Sequence, residues 1–410
     1  MVFESQRSAG VAPATQQPDS GRVKVLHFVT GGFSGGATQV ALALVQAARA
    51  GQSMAPLLVL RHKRHGDPAR IEELRREGVP LAVVPGWSHV ATILALVRLC
   101  RSFRPQVLVA HGFSEHLWGR YAGLLAGVPA LVHVEHNTRE RYTSWRRAQA
   151  RWLGARTQRM VGCSPDVRQR LIALGMPPQR TVTIPNGVHL GPFLPARTLP
   201  WHQREAAIIM VARFAKQKDP QTLVRAVALL RAQGLRPPLR LVGDGKTRAE
   251  VERLCKSLGL DDGQVEFLGL RRDVPALLMR HQVFVLSTHY EGMPLVMLEA
   301  MAAGCAVIGS AVPGVQGMLR ADEDGLLVPP SDPAALAAAL ASLLRDPVRA
   351  ERLGARACER AHREFSRELM HQRYETLCLE LAAPASGRAP HPNPDPDVAG
   401  STDPVVRRRG

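Results

Sequence analysis

Cysteine is sparse in this sequence and unpaired in pattern. The six residues Cys100, Cys163, Cys255, Cys305, Cys358 and Cys378 lie scattered, with no C-x-x-C among them. They read as free thiols in a reducing compartment. Long apolar runs are missing too: Ala91–Leu99 is interrupted well short of the ~20 residues that a membrane-spanning helix needs. Residues 1–21 are polar and lack the apolar core of a secretory leader, so a cytoplasmic protein is expected. No helix-turn-helix, zinc-finger or RNP pattern occurs, and no nucleic-acid partner is expected. No cluster has convincing metal-ligand spacing, and Asp261-Asp262 reads as a polar loop pair. Acidic residues are in short supply, 35 Asp and Glu against 53 Lys and Arg, a net charge of +18. That excess points to anionic partners: a membrane surface or phosphorylated small molecules once nucleic acid is set aside.

At 410 residues the chain is too long for one ordinary core, so two domains are expected. Short apolar runs alternate with helical stretches. Val23–Thr30 reads as a strand, the glycine-rich turn 31–36 follows, and a helix runs over Ala37–Ala50. Strands are expected at Leu57–Leu60, Leu81–Val84, Val107–Ala110, Ala130–Val134 and Met160–Ser164, with helices at Ile71–Glu77, Ala91–Phe103 and Pro165–Leu174. Residues 191–206, rich in proline, read as a linker. Strands then recur at Ala207–Val211, Leu239–Val242, Val265–Leu268, Gln282–Ser287, Ala306–Gly309 and Gly325–Val328. Helices are expected at Gln221–Gln233, Val274–Arg280 and Gly314–Leu319, and after Ser331 as cap. Such βα repetition predicts α/β domains built on parallel sheets with helices on both faces.

The most informative stretch is His289–Gly304, HYEGMPLVMLEAMAAG. It follows a buried strand, turns at Gly292, places Pro294 in the first turn of a helix and ends that helix at Gly304. Strand, turn and helix in this order aim free amides out of the carboxyl edge of a sheet, where an anion can sit. Glu291 and Glu299 flank that spot as acceptors suited to sugar hydroxyls. Arg213 and Lys218 sit on the loop after Ala207–Val211, and two cations there suit a diphosphate. Either pair taken alone is equally explained by local capping or by a solvated loop.

Taken together, these strings resemble the retaining glycosyltransferase family 4, with its EGxP/G-x4-E-A-M-A and R-x4-K patterns. The resemblance spans about residues 23–382. It implies two Rossmann-like domains facing across a cleft (GT-B), with a C-terminal helix crossing back to the first. The implied layout is a disordered tail 1–22, an acceptor domain 23–190, the linker 191–206, a donor domain 207–361, a returning helix 362–382 and a disordered tail 383–410. The implied reaction moves a sugar from a nucleotide-diphosphate sugar to an acceptor hydroxyl with retention, without metal or other cofactor. Arg213, Lys218 and the turn and helix start at Gly292, Met293, Leu295 and Val296 would hold the diphosphate. Glu299 would bind the ribose and Glu291 the sugar. The glycines Gly35 and Gly36 resemble the first-domain loop that approaches the donor phosphates, although Thr38 stands where the family often has an acid. The segment VHVEHNT places His136 where the family has a strand-end histidine facing donor sugar and acceptor. His111 reads as a structural or solvated residue. Asn186-Gly187-Val188 matches the family's N-G-V before the crossing into the second domain, with His189 replacing its acid.

One basic stretch, Arg139–Arg159, carries seven arginines and one glutamate beside Tyr142, Trp145 and Trp152. It is either a solvated basic helix or an amphipathic surface for anionic lipid or an acceptor's phosphate. The expected partners are therefore a nucleotide-sugar donor, a saccharide or lipid-linked acceptor and an anionic inner membrane face, with a role in cell-surface polysaccharide or glycolipid synthesis. A sugar-nucleotide epimerase or hydrolase of the same architecture, or a non-catalytic sugar-nucleotide binder, fits the same residues.

Overall fold

A computed structural model describes residues 21–33, 35–63, 66–112, 115–139 and 142–384. Most of both expected tails lies outside the described residues. Among the described residues seven strands form the first sheet: β1 (Val23–Thr30), β2 (Met54–Arg61), β3 (Leu81–Val84), β4 (Val107–His111), β5 (Ala130–Glu135), β6 (Arg159–Gly162) and β7 (Thr181–Thr183). Six form the second: β8 (Glu205–Val211), β9 (Leu239–Val242), β10 (Val265–Gly269), β11 (His281–Leu286), β12 (Ala306–Ser310) and β13 (Leu326–Val328). Every pairing is parallel, in the orders β3-β2-β1-β4-β5-β6-β7 and β10-β9-β8-β11-β12-β13. The expected pair of Rossmann-like sheets is what the chain forms.

The first half interleaves α1 (Gly36–Ala50), α2 (Pro68–Arg76), α3 (His89–Phe103), α4 (Glu115–Ala126), α5 (Ser144–Gly154) and α6 (Pro165–Ala173). The second adds α7 (Pro220–Ala232), α8 (Arg248–Ser257), α9 (Val274–Arg280), α10 (Leu295–Ala302), α11 (Pro333–Arg345), α12 (Pro347–Glu364) and α13 (Arg367–Ala382). Successive strand side chains point to opposite faces, which sorts the first core into two layers. Leu26, Phe28, Leu108 and Leu131 pack under α3, α4 and α5 through Leu96, Leu117 and Leu153. Val25, Val107, Val109 and Val132 pack against α1 and against Met370, Tyr374 and Leu377 of α13. The last helix among the described residues thus covers the first sheet.

Several expectations change in detail. Helix α4 has no counterpart in the sequence reading. Its buried face includes Glu115, His116 and Arg120, which hide the apolar period. Residues 191–206 join the two sheets in an ordered path. They form two 3-10 turns, and Phe193 and Trp201 enter the second core. The returning helix begins at Arg367, not at 362. His362 belongs to α12, and Ser366 restarts the chain by capping the Leu369 amide at 3.0 Å. Gly314–Leu319 is a set of hydrogen-bonded turns, since Gly314 has φ of +85°, outside the helical range. Asp332 rather than Ser331 caps α11, accepting from the Ala335 amide at 2.9 Å.

Candidate active site

The carboxyl ends of β8 and β11 carry the loops that matter. After β11, Ser287 donates to the Asp219 carbonyl at 2.8 Å and the His289 amide to the Gln217 carbonyl at 2.8 Å. Gln217 returns a side-chain bond to the Tyr290 carbonyl at 2.8 Å. These bonds tie the Arg213–Lys218 loop to the turn before α10. Glu291, 6 % exposed, accepts from Lys218 Nζ, and the Thr288 hydroxyl lies 3.0 Å from its Oε1. The expected diphosphate cation and the expected sugar acceptor therefore hold each other. Arg213 is exposed and has no acidic partner among the described residues, so its guanidinium is free to take a ligand anion.

Helix α10 starts one residue later than expected. Pro294 is its N-cap, with ψ of 117°, and not a first-turn residue. The first helical bond runs from the Met297 amide to the Pro294 carbonyl at 3.1 Å, which leaves the Leu295 and Val296 amides ahead of the ladder. Met293 is turned away from solvent. Asn186 Nδ2 donates to its carbonyl at 3.0 Å, and its sulfur receives the Asn186 amide at 3.1 Å. Glu299 is partly buried, with no cation beside it among the described residues, and burial pushes its carboxyl up to about 7.

The first half meets this turn from the other side. A side chain at Gly292 would lie 2.1 Å from the His136 carbonyl, and one at Gly314 would lie 2.3 Å from the Gly292 carbonyl. Only glycine allows backbones to approach this closely. Thr138 donates to the Glu291 carbonyl at 2.7 Å, and Asp166 accepts from the Gly314 amide at 2.8 Å. Gly35 and Gly36 stand at the start of α1, where a side chain added at Gly36 would meet nothing within 4 Å. Thr38 points inward to the Thr30 carbonyl at 3.0 Å, so no side chain there reaches toward a ligand.

His136 is shaped by its surroundings. Glu135 Oε1 accepts from the His136 and Asn137 amides at 2.8 and 3.2 Å and fixes the turn after β5. Burial lowers the His136 imidazole to about 4, with the Glu135 carboxylate opposing that effect, so the ring is neutral at pH 7. His111 is fully buried and bonded to His136, not solvated. On the opposite face of the sheet His116 stacks on His133 at 4.0 Å and contacts Arg120 and the Tyr142 hydroxyl, each at 2.5 Å. Tyr142 thus turns inward, while Trp145 and Trp152 stay exposed on α5. Sequence reasoning missed Thr138, Asp166, Thr288, Glu135 and His27. The one available signal was the placement of Glu135 and Thr138 beside His136. No group of three or more His, Cys, Asp or Glu residues suited to a metal ion occurs among the described residues.

Two family models match, and they divide the chain as the sheets do. "Glycosyltransferase Family 4" covers residues 34–191, and "Glycosyl transferases group 1" covers residues 197–360. The chain belongs to glycosyltransferase family 4. Among relatives of this glycosyltransferase is the Escherichia coli UDP-Gal:alpha-D-GlcNAc-diphosphoundecaprenol alpha-1,3-galactosyltransferase, 28% identical over 59% of this chain and 67% of that protein. The putative glycosyltransferase EpsF of Bacillus subtilis is 29% identical over 71% of this chain and 79% of its own length. Anabaena HepE, solved in complex with UDP and glucose, superposes with a TM-score of 0.75 over 87% of this chain and 99% of that one. At 20% identity that match shows the shared GT-B fold.

Proposed function

We propose that this family 4 glycosyltransferase moves a sugar from a nucleotide-diphosphate donor to an acceptor hydroxyl of a polysaccharide or glycolipid precursor, with retention and without metal. The observation that carries this is the set of donors around the turn at Gly292. Arg213 is free, Lys218 is anchored by Glu291, and the Leu295 and Val296 amides stand ahead of the α10 ladder. Together they offer fixed positive potential to a departing diphosphate, with no reorganisation at the moment of bond breaking. Lys218 has three N–H donors, so it can hold Glu291 and a phosphate oxygen at once. Glu291 keeps a second oxygen for sugar hydroxyls, and Glu299 faces the ribose. The UDP-Gal-using galactosyltransferase relative, together with the solved UDP complex of HepE, supports a UDP-sugar as the first donor to try. Thermal-shift screening of UDP-, GDP- and ADP-sugars identifies the donor, because a ligand of the folded state raises stability. Transfer of its sugar to a lipid-diphosphate saccharide is then expected in EDTA as well as in magnesium. Donor hydrolysis without transfer, or full dependence on added metal, would contradict the proposal.

An anionic membrane face is the proposed setting, on the cytoplasmic side. No helix of the described residues is long and apolar enough to span a bilayer. Trp145 and Trp152 lie seven residues apart on one side of α5, 73% and 48% exposed, among Arg146, Arg147 and Arg156. Trp87, Val90 and Leu94 are exposed at and before the start of α3, in the same layer of helices. Sedimentation with anionic vesicles at low salt should exceed that with neutral vesicles and fall as salt rises. Equal binding to both would contradict the setting.

A further inference from the structure

Three histidines in or just after three adjacent strands form a line inside the first half of the molecule. His27 lies within β1, His111 ends β4 and His136 follows β5, and the sheet order places β4 between the other two. His27 Nδ1 is 3.1 Å from His111 Nε2, and His111 Nδ1 is 3.2 Å from His136 Nε2. The rings are close to coplanar, with interplanar angles of 29° and 18°. His27 and His111 are buried, and the remaining nitrogen of His136, Nδ1, is buried with no partner.

A neutral imidazole has one donor and one acceptor nitrogen, so the bond made by one fixes the role of the other. His111 faces a ring on each side. It must donate to one neighbour and accept from the next. Either every ring carries its proton on Nδ1 or every ring carries it on Nε2. A mixed line would set two N–H groups, or two bare nitrogens, against each other at about 3 Å. We propose that His111 is a positioning residue, which holds the His136 ring in place beside the donor site and sets whether its Nδ1 is an N–H or a bare acceptor. The inference rests on the reading of His136 as a donor-site residue. His27 extends the control to the far end of the line, where His371 of α13 is near enough for its charge to act on His27. Burial lowers all three rings below the ordinary histidine value, consistent with a line that is neutral throughout.

Long-range imidazole correlation spectra of the full chain, labelled with 15N-histidine and assigned by single substitutions, read the tautomers directly. The expected result is three neutral rings with the proton on the same-named nitrogen. A mixed set, or a charged ring at pH 7, would overturn the proposal. Kinetics with the nucleotide-sugar selected by the donor screen supply the second readout. His111→Phe keeps the ring and loses both bonds, so kcat should fall about tenfold, the worth of one hydrogen bond, with donor KM little changed. His111→Gln keeps a donor and an acceptor and should recover most of kcat. Equal loss in both variants, or none in either, would contradict the role. Should His111→Phe fail to fold, His27→Phe tests the same link from the far side. A fully active His136→Ala enzyme would remove the underlying site reading. An inactive His136→Ala beside a fully active His111→Phe would remove the line alone.

Discussion

The two halves of the molecule meet at one turn and treat charge in opposite ways. The second half gathers full charges and backbone dipoles near solvent: Arg213, Lys218 with Glu291, and the amides that open α10. The first half keeps one cluster of histidines neutral, with His27, His111, His116 and His133 buried in and around one sheet and His136 at its edge. In the proposed reaction a leaving diphosphate needs charge that is already in place, and the second half would supply it. A neutral sugar needs orientation, and uncharged hydrogen-bonding groups supply that without drawing in anions. The +18 net charge makes the separation useful, because a protonated histidine cluster would add a second anion site beside the first.

Acid should break the comparison most forcefully, and from the first half. Burial lowers His27 to about 3 and His133 and His136 to about 4. Unfolded histidines titrate near 6.5, so between these values the unfolded chain binds more protons than the folded one. The stability these rings contribute is present above pH 6.5 and is lost as pH falls toward 4. Each tenfold difference in proton affinity between the folded and unfolded chain corresponds to about 1.4 kcal/mol, so the cluster should remove several kcal/mol over that window. Urea unfolding at pH 7 and pH 5 checks it. Equal stability at the two values would mean that the rings are hydrated in solution.

Glu299 should act with the opposite sign and less strongly. Its carboxyl is raised to about 7, so the folded chain binds the extra proton between the ordinary glutamate value and 7, and stability falls as pH rises through that window. Glu299→Gln should therefore stabilise the protein at pH 8, by about 1–3 kcal/mol, and leave it unchanged at pH 4. The same variant should bind donor more weakly. A variant that gains stability with full donor affinity would show that Glu299 does not face the ribose.

The same contrast explains what could be read before the fold was known. The second-half site is local. HYEGMPLVMLEAMAAG holds the turn after the strand, the helix start and both carboxylates in one string, and the Arg213–Lys218 loop is another. What the string concealed was pairing, because nothing in it says that Lys218 and Glu291, 73 residues apart, share an ion pair. The first-half site is non-local. His27 sits inside an apolar strand, 84 residues before His111, and only the sheet order brings them together. A doubly wound order assumed from the βα repeat would have placed β1, β4 and β5 side by side. Helix α4 was lost for a related reason, since its inward Glu115, His116 and Arg120 serve a polar cluster rather than an apolar core.

Arg213 offers the smallest structural disturbance and the most direct test. It is exposed and tied to no acidic residue among those described, so Arg213→Ala should leave folding intact. If it grips the donor diphosphate, the loss is one charge-assisted hydrogen bond, about 1.5–3 kcal/mol, or roughly tenfold to a hundredfold in affinity. Calorimetric titration of UDP, GDP and ADP into the wild-type protein and into Arg213→Ala measures this in one experiment. The account predicts tight binding of one nucleotide diphosphate to the wild type and weaker binding to the variant by that factor. Equal affinity in the two proteins, or no binding of any diphosphate to the wild type, would contradict it.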